Sequence, residues 1–283
     1  MPVFRQEAYV HGAVRSVLAQ HYEKIEVIIS DDCSPDSTPQ LCAALADTDP
    51  RVRFFPQERR LGHERNFDFV LREARGEFFM WFAGDDAAAP GLISTLLDVL
   101  EGREEAVAAM SAVDFIDASG RKTGQTAVPR GLHSEGGGPV RCPRRQFFSS
   151  RPMGAHFFLY GLFRVEDIRA AEWNYRGMVR FASAHEGPLL AQLSLRGELW
   201  SVPEPLKQYR QHRDSLFIQE SSAMSWKTKC ANKWNVARVS MCVACDSAED
   251  SITRWGLATY TLASFLAWWL RFSMFTVLQT GRR

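Results

Sequence analysis

The chain has 283 residues, a formal net charge of +1, and 46% hydrophobic and 24% charged side chains. That composition is of a folded globular protein, long enough for one large domain or two fused halves. Near-zero charge argues against a nucleic-acid binder that works by neutralising many phosphates, so no nucleic-acid partner is expected.

Met1 to Arg5 reads as the tail of a strand entering a loop, with the rest of a first strand missing ahead of it. Gln6 to Gln20 carries apolar residues near a helical period: Ala8, Tyr9, Ala13, Val14, Val17 and Leu18. Ile25 to Ser30 is a short β-branched run that ends in Asp31-Asp32, and Ser37 or Thr38 suits the cap of the helix that follows. Val52 to Phe55 is a further strand, and Arg65 to Arg75 a helix with Phe67, Val70, Leu71 and Ala74 on its inner face. Phe78 to Phe82 is expected to be a strand buried on both faces, as in a parallel sheet. It stops at Ala83-Gly84 and delivers Asp85-Asp86, with Pro90 suited to the first turn of another helix.

Alternating helix and strand over the first hundred residues imply a mostly parallel sheet with helices on its faces. In such sheets ligands bind beyond the carboxyl ends of the strands. Two of those ends carry paired acids. Neighbouring carboxylates repel unless a cation or a hydrogen-bond network neutralises them, and a divalent ion on a substrate phosphate would do so.

Beyond Glu101 the pattern changes. Ala106 to Asp117 is a strand region, and residues 118–145 form a polar, Gly- and Arg-rich stretch containing Gly136-Gly137-Gly138. Residues 153–165 suit a strand pair. Leu189 to Arg196 reads as a helix stopped by Gly197, with Glu186 just before it. From about Ser222 the chain is helical in character. Trp255 to Leu270 has 16 residues without a charge, short of a membrane span. Trp268, Trp269, Arg271, Arg282 and Arg283 fit an interfacial helix on anionic lipid; a helix packed on the domain or in a dimer interface is the other reading. The six scattered cysteines suit reduced thiols, hence a cytoplasmic location, with residues 255–283 able to touch the inner face of the membrane. Cys242-x-x-Cys245 stands alone and is not expected to hold zinc.

The sequence resembles the family 2 glycosyltransferases, inverting enzymes of the GT-A fold that use nucleotide-sugar donors. The resemblance covers roughly residues 1–215. It rests on Pro2-Val3-Phe4 with Gln6-Glu7-Ala8-Tyr9, on Ser16 to Gln20, and on Ile25 to Thr38. Gly62 with Arg65-Asn66, and Arg75-Gly76-Glu77 leading to Gly84-Asp85-Asp86, complete it. It implies an α/β, Rossmann-like GT-A sheet flanked by helices, with a donor half at 1–110, an acceptor half at 111–215 and a helical extension at 216–283. Asp31, Asp32, the backbone near Pro2 and Phe4, Asn66 and Asp86 are implied at the nucleotide. Asp85, with His212 of Tyr209-Arg210-Gln211-His212, is implied at a divalent metal, Mn²⁺ or Mg²⁺. Ala83 departs from the acid usual at the start of that motif. Glu186 is implied as the base that takes the proton of the acceptor hydroxyl, in a place where the family often has Asp. The expected function is metal-assisted, inverting transfer of a sugar to a hydroxyl of a sugar or lipid-linked sugar, in surface polysaccharide synthesis. The alternative is a catalytically impaired sugar-nucleotide-binding or scaffold protein.

Overall fold

The structure, a computed structural model, describes residues 1–127, 138–144, 147, 159–171, 186–213, 226–247 and 251–280. Its first part is a three-stranded parallel sheet in the order β1 (Pro2–Val3), β2 (Val27–Asp31), β3 (Val52–Pro56). Helices α1 (Val10–Leu18), α2 (Thr38–Thr48) and α3 (His63–Glu73) connect its strands and lead onward. All five residues of β2 are buried, as a central strand covered on both faces requires. Neither Ser37 nor Thr38 caps α2 with its side chain. The first N–H groups go instead to Asp36 Oδ1 and to Glu7 Oε2 from the preceding loop, which ties the β1–α1 and β2–α2 connections together.

The second sheet runs β4 (Phe78–Phe79), β9 (Leu162–Arg164), β6 (Ala106–Ile116), β10 (Glu198–Arg210), β5 (Ala87–Ala88). β7 (Lys122–Ala127) pairs with β6, and β8 (Val140–Arg141) with β10. β6 and β10 form a long parallel ladder, and the other pairings in this sheet are antiparallel. The strand expected over Phe78–Phe82 is therefore shorter, and its partner is the antiparallel β9. Met80 to Ala83 leave the ladder, and side chains hold them. Trp81 is fully buried and gives its indole N–H to the Phe67 carbonyl at 3.0 Å.

Sequence reading missed β10, because Pro203 and Pro205 lack the N–H a central strand needs. The ladder absorbs both by shifting register between Val202 and Pro205 and again before Lys207. Gly197 starts the strand tightly against β6: a Cβ there would stand 2.7 Å from the Glu105 carbonyl oxygen. Helix α4 (Leu92–Glu101) begins two residues after Pro90, and α5 (Val165–Ala170) and α6 (Glu186–Arg196) cover the second sheet. α6 takes in Glu186, which the sequence placed just ahead of the helix. Helices α7 (Trp226–Ser247) and α8 (Ser251–Thr280) pack on each other and, through Val239, Val243 and Ala244, join the core around Trp81 and Phe163. Within the expected 118–145 stretch, residues 128–137 and 145 lie outside the described residues, as do 153–158 of the expected strand pair.

Candidate functional site

Four loops meet beyond the carboxyl ends of β1, β2, β4 and β10. The first two are buttoned together. Arg5 N–H bonds Ser34 Oγ at 2.9 Å and Gln6 N–H bonds Thr38 Oγ1 at 2.8 Å. Arg5 (φ 54°) and Cys33 (φ 57°) both lie in the left-handed region, which costs non-glycine residues of order 1 kcal/mol or more each. The acid turn packs directly on this unit. A Cβ on Gly84 would stand 2.8 Å from Val3 Cγ1, so only glycine lets the turn come so close to β1.

The nucleotide-side residues are placed as follows. Pro2 pairs with Ser30 in the β1–β2 ladder. Asp31 is buried; its Oδ2 accepts the Ser34 N–H at 2.9 Å, and its Oδ1 is sealed without a hydrogen-bond partner. An orphaned, acceptor-only oxygen suits a ligand N–H donor. Asp32 accepts from Arg60 Nε at 3.0 Å and from the N–H groups of Leu61 and Gly62, so its carboxylate shapes the turn that enters α3. The Arg60 guanidinium lies 3.5 Å from the centre of the Phe4 ring. Asn66 gives its Nδ2–H to the Ser30 carbonyl at 3.1 Å, and its Oδ1 is buried without a partner.

At the acid turn the two aspartates part company. Asp85 Oδ2 lies 2.9 Å from His212 Nε2, and Tyr9 stacks on that imidazole with ring centres 4.7 Å apart. Asp86, expected at the nucleotide, instead faces inward. Its side chain is sealed from water, its Oδ1 accepts the Arg210 N–H at 3.0 Å, and its Oδ2 lies 2.9 Å from Lys207 Nζ. The Lys207 contact is an ion pair without hydrogen-bond alignment, and the ammonium also lies 3.5 Å from the centre of the Tyr160 ring. Burial raises the Asp86 pKa and lowers that of Lys207, because both charges have lost their water. Arg210 completes the clamp, donating its Nε–H to the Asp85 carbonyl at 2.7 Å and Nη1 to that of Asp117 at 3.1 Å.

The end of β10 thus grips the acid turn at several points, and the antiparallel β5–β10 pairing fixes the register of the grip. Sequence reading named His212 but missed Lys207, Arg210, Tyr160 and Tyr9. A lysine flanked by Leu206 and Gln208 at an inward strand position was the available signal for Lys207. Glu186 opens α6, half-buried. It acts electrostatically on Tyr160 together with Asp85 and Asp86; burial, ahead of these carboxylates, pushes the Tyr160 hydroxyl well above its ordinary pKa.

A divalent cation fits this donor set. Hard ions of this kind take one or two protein ligands and complete their shell with phosphate oxygens and water. Asp85 and His212 converge as such a pair, and Asp86 does not join them. Among the described residues no group of three or more His, Cys, Asp or Glu could hold an ion by itself.

The family model described as Glycosyl transferase family 2 matches residues 1–167. The succinoglycan biosynthesis protein ExoO of Rhizobium meliloti is 35% identical over 105 residues, which are 37% of this chain and 28% of ExoO. The GalNAc(5)-diNAcBac-PP-undecaprenol beta-1,3-glucosyltransferase of Campylobacter jejuni is 32% identical over 98 residues, 34% of this chain and 32% of that protein. The putative glycosyltransferase EpsH of Bacillus subtilis is 26% identical over 211 residues, 74% of this chain and 54% of EpsH. The chain thus spans less than two thirds of the length of each of these relatives. Among solved structures, S. aureus TarS 1-349 in complex with UDP-GlcNAc has a TM-score of 0.68 at 14% identity, covering 94% of this chain and 71% of that one. GalNAc-T7 with UDP, GalNAc and Mn²⁺ has a TM-score of 0.52 at 13% identity, covering 71% of this chain and 41% of that one. At such identities the likeness shows the GT-A fold alone.

Proposed function

This chain belongs to glycosyl transferase family 2, and on that footing we propose that it moves a sugar from a nucleotide-sugar donor to a hydroxyl acceptor with inversion. The observation that carries this reading is the Asp85–His212 pair, held at 2.9 Å beside the crevice where Asp31 keeps an unpartnered acceptor oxygen. The TarS structures bind UDP or UDP-GlcNAc and the GalNAc-T7 structure holds Mn²⁺, which supports a uridine-type donor and a divalent cation here. The C. jejuni relative is named for an undecaprenol-linked acceptor, which supports a sugar or lipid-linked sugar as the acceptor class. Surface polysaccharide synthesis at the cytoplasmic face of a membrane is the setting we assign.

The donor half is residues 1–110 and the acceptor half 111–215. Asp31 and Asp32 serve the base, with Pro2, Phe4 and Asn66 lining its pocket; an ionised carboxylate is acceptor-only and matches a pyrimidine N3–H. Asp85 and His212 would hold the cation, which, when bound, supplies positive charge to the departing diphosphate. Glu186 takes the proton from the acceptor hydroxyl as that oxygen attacks the anomeric carbon. Asp86 serves the turn and leaves Asp85 to face the crevice.

Ala83, where a further acid would be expected, favours a second reading: a protein that binds sugar nucleotides without turning them over. Calorimetry against UDP with and without Mn²⁺, run beside a donor-hydrolysis assay, separates the two. Metal-dependent binding with release of nucleoside diphosphate supports transfer. Binding without release supports the second reading, and no binding of any nucleoside diphosphate defeats both.

A further inference from the structure

Helix α8 has two unlike faces. Leu257, Ala258 and Thr261 are buried, and the Phe265 ring meets that of Trp234 on α7 with centres 5.1 Å apart. On the outside, Ile252 (87% exposed), Trp255 (64%), Leu262, Leu266 and Trp269 recur every three, four or seven residues and form one stripe. No charged residue occurs from Trp255 to Leu270. A helix face turned to water over that length ordinarily carries charge, so this one is built to be covered.

On another side of the same helix, Thr253, Gly256 and Tyr260 line a cavity of about 560 Å³ together with Arg141, Arg144 and Ser194, among others. Glu198 neutralises Arg141 at 2.6 Å. Arg144 gives its Nε–H to the Ser194 carbonyl, a neutral acceptor, at 2.7 Å, so among the described residues its charge is not paired. Residues 226–283 contain eight Lys and Arg against three Asp and Glu, a net of +5. The remaining residues contain 26 against 30, a net of −4.

We propose that the outer face of α8 docks on an anionic lipid bilayer. A second copy meeting this face would bring two regions of like charge together, whereas an anionic surface is attracted to it. The helix lies on the bilayer. Its uncharged stretch of 16 residues is about 24 Å long against a hydrocarbon core of about 30 Å, and among the described residues no helix is long and apolar enough to cross. Trp255 and Trp269 sit where amphipathic rings favour the lipid–water boundary. The docking does not depend on sugar transfer.

The test is co-sedimentation of the full chain with phosphatidylcholine vesicles, alone or with about one third phosphatidylglycerol. Binding to the anionic vesicles should be about tenfold tighter or more, and should weaken as NaCl rises and the screening length falls from about 10 Å toward 3 Å. W255E/L266E should lose about tenfold or more of that binding with unchanged circular dichroism and melting temperature, since both side chains are exposed. Equal affinity for both vesicle types, no binding to either, or wild-type binding by W255E/L266E overturns the proposal. So does a dimer in light scattering that W255E/L266E converts to a monomer while the wild-type chain ignores vesicles.

Discussion

Lys207 Nζ stands 2.9 Å from the Asp86 carboxylate, with 3% and 0% of the two side chains open to water, across 121 residues of sequence. Such a pair contributes little net stability while intact, but removing one partner strands the other. K207M should cost about 3–5 kcal/mol, and K207M/D86L should recover most of it because both charges are gone. Chemical denaturation measures both. The pH dependence has a definite sign. Burial already raises the Asp86 pKa in the native state, and losing Lys207 removes the main influence opposing that rise. Below the unfolded value, about 4, the carboxyl is protonated in both states. Above it the unfolded chain releases a proton that the native one retains, so the K207M penalty should grow as pH climbs from there.

Asp85, next to His212, is the carboxylate proposed to bind the cation. D85N should weaken Mn²⁺-dependent UDP binding by about tenfold or more, as loss of a charged ligand does. Its melting temperature should hold, because the clamp on the turn runs through the Asp85 carbonyl and Asp86. Calorimetry with and without Mn²⁺ reads this; unchanged metal dependence would remove Asp85 from the site.

Asp32 has both a proposed ligand role and an observed structural one. D32N should lower affinity for UDP and also cost about 1–3 kcal/mol, since Arg60 and the Leu61 and Gly62 amides lose a charged acceptor. Metal stoichiometry should stay the same. If stability drops while UDP affinity does not, Asp32 only shapes the turn.

Glu186→Gln keeps size and polarity but cannot accept a proton at neutral pH. Turnover should fall by about 10²–10⁴-fold with donor binding retained. Near wild-type transfer to a genuine acceptor would place the base elsewhere, with Glu166, Asp167 and His212 the next residues to replace.

Much of the first hundred residues was legible from local pattern. The buried β-branched run ending in Asp31-Asp32 marks a strand end, whereas the apolar run ahead of Gly84-Asp85-Asp86 is a strand only at Phe78–Phe79; the helical period of α1 and α3 is written in neighbouring residues. Short-range chemistry sets these features, so sequence spacing carries them. The different fates of Asp85 and Asp86 are not written there. They depend on β10 arriving antiparallel to β5 in one register, which sets Lys207 against Asp86 and His212 against Asp85. Pro203 and Pro205 hid that strand, and only pairing with β6 showed that bulges absorb them. A one-residue slip of β10 would turn Lys207 to the opposite face of the sheet. Register between segments more than a hundred residues apart is a property of packing, so the tertiary structure alone decided which acid meets His212 and which is buried against Lys207.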